Sequence, residues 1–191
     1  MTITANSKSK KDQFLFSFTL SDEVKPRENG VEGVLLVPHI EINGEAYDLN
    51  TIDALMLVES AFSSGEYNIY NCSCGEPPCA GLDDGIIVLH QANYVEWKIP
   101  VPLAIPPEER TSSDRLYRSL NVGTLPDYRR AILAGIEQGA KLVANSKCPV
   151  FLLPMWTSIP RLIERAKELK TYRPEQTKGK GNTPQMVRIY E

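Results

Sequence analysis

The chain has 191 residues, 42% of them apolar and 24% charged, which is the balance of a folded domain rather than a disordered segment. A net charge of −3 and a pI near 5.5 argue against a nucleic-acid binder, which ordinarily carries a basic face. Fourteen prolines and twelve glycines call for many turns and short elements, so a simple helical bundle is disfavoured.

Residues 1–12 are polar and read as a flexible leader. No apolar stretch of about 7–15 residues follows Lys11, so a secretory signal is not expected. The longest apolar runs, residues 33–38 and 150–155, are far shorter than the roughly 20 residues that cross a bilayer. The expectation is a cytoplasmic protein with no membrane partner.

Phe14, Phe16 and Phe18 alternate with Leu15, Ser17 and Thr19, the period-two pattern of a strand. Pro26, Asn29 and Gly30 mark a surface loop, and residues 34–37 form a second strand broken at Pro38. Ile40 and Ile42 lead into Asn43-Gly44, a strong turn signal, and residues 46–49 return as a hairpin. Asn50 then offers an N-cap, with Asp53 in the first turn. Ile52, Leu55, Met56, Val58, Ala61 and Phe62 cover much of the following helix, which reads as a central buried one ended by Ser63-Ser64-Gly65. Residues 67–71 and 86–90 are strands flanking a cysteine-rich loop. Residues 94–99 alternate as a half-buried strand with Trp97 facing the core. Pro100, Pro102, Pro106 and Pro107 force an extended connector.

Beyond it, residues 127–145 are helical, with Pro126 near the start and Tyr128, Ile132, Ile136, Gly139 and Val143 at helical spacing. Residues 148–154 are a short apolar run, either a buried strand or a core crossing. Ser158 caps a last helix through Lys170, with Leu162, Ile163, Ala166 and Leu169 on one face. The expected class is α+β, a mostly antiparallel sheet packed on a central helix with a C-terminal helical cap. Residues 13–170 form one domain, strand-rich over 13–105 and helical over 112–170. Residues 171–184 read as a mobile basic linker, and residues 185–191 can close the chain as an edge strand.

The most informative stretch is the loop containing Cys72, Cys74 and Cys79, with the pattern C-x-C-G-x3-C-A-G. Thiolates are soft ligands for zinc, and a tetrahedral structural site needs four donors with sulfur at about 2.3 Å. Gly75 and Gly81 would let the backbone fold around an ion. The fourth donor can be His90, Cys148 or water. One structural zinc held by Cys72, Cys74, Cys79 and His90 is therefore one reading. Three reduced cysteines packed as small hydrophobes are another, and a redox or catalytic thiol is a third. A disulfide joining Cys79 to Cys72 or Cys74 is also geometrically allowed, more as a switch than a staple in the cytoplasm.

At these residues, and at Val95 and Trp97 in the strand that follows, the chain resembles a group of uncharacterised bacterial proteins carrying a C-x-C-G-x3-C-A-G loop. The resemblance covers about residues 50–100 and implies no activity. Small acidic bacterial α+β proteins of this class are often immunity proteins of toxin systems, a class analogy only.

The remaining residues exclude several chemistries. With only His39 and His90, a histidine-rich metal centre is ruled out. No G-x-S-x-G elbow, P-loop or dinucleotide fingerprint occurs. Asp83-Asp84 and Glu108-Glu109 read as solvated turn residues; Arg115, Arg118, Arg129 and Arg130 read as solvated charges, or as a phosphate- or carboxylate-binding patch if their segments pack together. The expected function is a non-catalytic binding protein with a protein partner, in its most specific form a cognate toxin. The alternative is a zinc- or thiol-dependent enzyme centred on the cysteine loop.

Overall fold

The computed structural model describes residues 13–21, 25–26, 32–48, 51–72, 85–100, 117–153 and 158–172. The expected leader and closing strand lie outside these, as does the expected linker beyond Tyr172. In chain order the elements are β1 (Phe14–Leu20), β2 (Lys25–Pro26), β3 (Glu32–Ile42), β4 (Glu45–Ala46), β5 (Thr51–Ile52), α1 (Ala54–Ser60) and β6 (Gly65–Tyr67). They continue as β7 (Tyr70–Asn71), β8 (Ile86–His90), β9 (Val95–Pro100), β10 (Tyr117–Asn121), α2 (Leu125–Asn145), β11 (Val150–Leu152) and α3 (Ile159–Thr171).

The class is α+β. One sheet runs β1-β3-β11 with β2 and β4 also on β3, a second runs β10-β9-β8-β6, and β5 pairs with β7. Among the described residues every pairing is antiparallel except that of β11 with β3. Helix α2 packs on β1, and α3 closes against α1 and α2.

The aromatic alternation of β1 sends Phe14, Phe16 and Phe18 inward. Phe14 meets Trp97 and Tyr128 with ring centroids 5.4 and 4.8 Å away, and both of those rings are fully buried. Burial of three such aromatics gives this cluster a large share of the apolar driving force.

Strand β3 does not break at Pro38, as the sequence suggested. Pro38 lies opposite Phe18, whose backbone N–H and C=O both point away from β3. The pair is therefore one that exchanges no ladder hydrogen bonds, and the missing N–H of proline costs nothing there. The turn at Asn43-Gly44 has φ of 57° and 84°, the left-handed pair of a tight hairpin.

The free edge of β1 is met by α2. Gln138 accepts from Phe18 N at 2.8 Å and donates to Phe18 O at 3.1 Å, as a neighbouring strand would. Gly135 makes that approach feasible, because a Cβ there would stand 2.4 Å from Phe16 O.

Helix α1 starts later than expected. Residues 51–52 pair with β7, and the cap passes to Asp53, which accepts from Leu55 N and Met56 N at 2.9 and 3.1 Å. Strand β10 was not anticipated; it extends the strand-rich part of the chain to Asn121 by pairing with β9.

Candidate functional site

Of the residues of the expected zinc site, Cys74 and Cys79 lie outside the described residues. Cys72 follows β7 and is disulfide-bonded, so its sulfur is not a thiolate ligand in this state. Cys148 is an exposed free thiol beyond the end of α2. Asn71, beside Cys72, donates to Asn68 O at 3.2 Å, and its buried Oδ1 accepts nothing among the described residues.

His90, at the end of β8, places Nε2 2.9 Å from Ser60 O. A carbonyl only accepts, so Nε2 carries the proton and Nδ1 the lone pair. Burial holds this imidazole below its ordinary range; the Ser60 bond opposes the shift, and the Arg129 charge adds to it. Arg129 Nε likewise donates to Ala61 O at 2.8 Å. His90 and Arg129 thus satisfy two carbonyls at the C-terminal end of α1, which has no basic residue in its own last turn. Among the described residues, no three His, Cys, Asp or Glu side chains converge as metal ligands.

Two other arrangements stand out. The first is a groove of about 630 Å³ between α2, β11 and α3, lined by Val143, Val150, Ile159, Pro160 and Ile163 with Glu164 and Lys167. Its apolar lining is half-buried: Val143, Val150, Ile159 and Ile163 pack against the core that Leu162, Ala166 and Leu169 help complete. The second is a hydrogen-bonded chain on the first sheet. Thr19 Oγ1 is 2.8 Å from His39 Nε2, and His39 Nδ1 is 2.8 Å from Asp48 Oδ2. Asp48 Oδ1 accepts from Ile40 N at 3.1 Å.

Sequence reasoning treated His39 only as one of two histidines. The signal that would have found this chain is register. Ser17 stands opposite His39, which puts Thr19 on the adjacent diagonal of the same face. The groove was half visible, since Ile163 and Val143 appear on the expected helices, but their mutual approach depends on β11 entering the sheet beside β3.

A comparison with protein-family models, curated proteins and solved structures finds no match to this chain. Among the described residues no helix is long and apolar enough to cross a membrane.

Proposed function

We infer that this chain is a binding protein whose groove between α2, β11 and α3 takes an apolar segment of a basic protein partner. The groove is the observation that carries the reading. Five apolar side chains, four of them half-buried, line about 630 Å³, with Glu164 and Lys167 to orient what enters.

Charge steers the encounter through the whole body rather than at the groove itself, whose lining holds one carboxylate and one ammonium. Residues 1–12 carry Lys8, Lys10 and Lys11 against Asp12, and residues 173–191 carry Arg173, Lys178, Lys180 and Arg188 against Glu175 and Glu191. The net charge of −3 is therefore an acidic body between two basic ends. An acidic body steers basic proteins towards it and repels acidic ones. The most specific form of this reading is a bacterial cytoplasmic immunity protein that neutralises a toxin by direct binding.

Affinity capture from the source lysate tests it, with the full chain run beside its Ile163→Glu variant. The expected result is one basic protein retained by the parent, lost with the variant, and rebinding the parent after isolation. For the immunity form, that protein arrests growth when expressed alone and is tolerated when co-expressed with this chain. Identical capture profiles for parent and variant overturn the groove reading.

A further inference from the structure

We propose that Thr19 is an activated nucleophile, with His39 as its base and Asp48 as the group that orients His39, and that it accepts acyl groups from activated esters. This goes beyond the binding reading and shares no residue with the groove.

In the neutral imidazole protonated at Nδ1, the hydrogen bonds run in one direction. Asp48 Oδ1 accepts from Ile40 N–H, and Asp48 Oδ2 accepts from His39 Nδ1–H. Neutral His39 then presents a lone pair at Nε2, and the Thr19 hydroxyl 2.8 Å away donates into it. A hydroxyl, an imidazole and a carboxylate in this order form the arrangement that activates a nucleophilic oxygen.

The three groups are held by backbone rather than by chance side-chain contact. Thr19 and His39 sit on the paired strands β1 and β3. Tyr47, next to Asp48, donates its N–H to Ile40 O at 2.8 Å and accepts Tyr70 Oη–H at 2.6 Å on its carbonyl. These two bonds on the preceding residue, with Ile40 N on Oδ1, hold the Asp48 carboxylate in place before any ligand arrives.

Access sets the substrate class. The Thr19 side is exposed, and the His39 and Asp48 side chains keep 35% and 41% of their surface. An open face does little to select an acyl group by shape, so it suits donors with good leaving groups.

In the first step, Thr19 Oγ1 bonds to the carbonyl carbon as its proton passes to His39 Nε2. The tetrahedral adduct collapses, the bond to the leaving oxygen breaks, and that oxygen takes the proton from His39. An ester on Thr19 and a free alcohol result. Water then attacks the same carbonyl carbon, giving up a proton to His39 Nε2. That proton returns to Thr19 Oγ1 as the ester bond breaks, and a carboxylic acid leaves. The sum is ester plus water giving acid plus alcohol.

The test uses the full chain with p-nitrophenyl acetate, following p-nitrophenol release and mapping acetylated peptides by mass spectrometry. The expected result is acetyl on Thr19, with Thr19→Val releasing at the background rate and Thr19→Ser restoring the adduct. His39→Gln and Asp48→Asn, each folded by circular dichroism, slow adduct formation about 100-fold or more. Acetyl found only on lysines overturns the proposal. So does a Thr19→Val protein that releases p-nitrophenol as fast as the parent, because His39 would then be the nucleophile itself.

Discussion

Gly135 shows how one absent methyl group decides a packing arrangement. In most helices an alanine in place of glycine stabilises by about 0.5–1 kcal/mol. Here the added Cβ would meet Phe16 O at 2.4 Å and the Phe16 ring at 2.5 Å, and a strand carbonyl cannot move aside. Gly135→Ala is expected to lose about 2 kcal/mol, read as a lower urea midpoint with an unchanged slope.

His90 makes an opposite kind of statement, through protonation. Its folded pKa lies below the ordinary value of 6.5, chiefly because burial disfavours the charged ring. The unfolded chain therefore binds a proton more readily than the folded one. The stability this neutral ring contributes is present above the unfolded value and is lost as pH falls from there through the lower folded value. Between about pH 7.5 and 5.5 the parent should lose stability more steeply than His90→Gln, measured by denaturant titration at each pH.

At the level of elements, the sequence was most legible where a local rule and the tertiary environment agree. Asn43-Gly44 turned as expected, Ser158 capped α3, and Trp97 went inward on an alternating strand. It was least legible where pairing overrode a local signal. Asn50 looked like a cap, yet pairing of Thr51 with Asn71 moved the start of α1 to Asp53. Residues 117–121 carry a weak strand pattern and are mostly exposed; partnership with β9 makes them a strand.

The joint between α1 and α3 was likewise invisible, being made by residues 106 apart. Arg165 forks onto Glu59 at 2.6 and 2.8 Å and lies 4.1 Å over the Phe62 ring. Lysine retains the charge but neither the fork nor the flat stacking surface. Arg165→Lys should cost about 1 kcal/mol in chemical denaturation, the modest size set by partial exposure of the pair.

For the whole molecule, the periodic patterns of many segments reached the α+β class and composition reached the acidic character, because both are sums over many residues. The sites are not sums. Thr19, His39 and Asp48 belong to three separate stretches that only the β1–β3 register and the hairpin return bring together. The groove needs β11 to run parallel beside β3, a contact between residues 150–152 and 34–36 that no neighbouring residue announces. The cysteine loop drew attention through its unusual pattern, whereas neither assembled site is a contiguous motif.

The clasp of Gln138 on Phe18 also has a consequence in time. It joins residues 120 apart, so β1 is made long before the side chain that completes its outer edge. At about 5–20 residues per second, that edge waits roughly 6–24 s on a growing chain. During this interval the three phenylalanines of β1 and a row of unspent backbone groups are open to any passing strand. The danger of misassembly therefore falls on the nascent chain, and it ends when α2 emerges and settles across the edge.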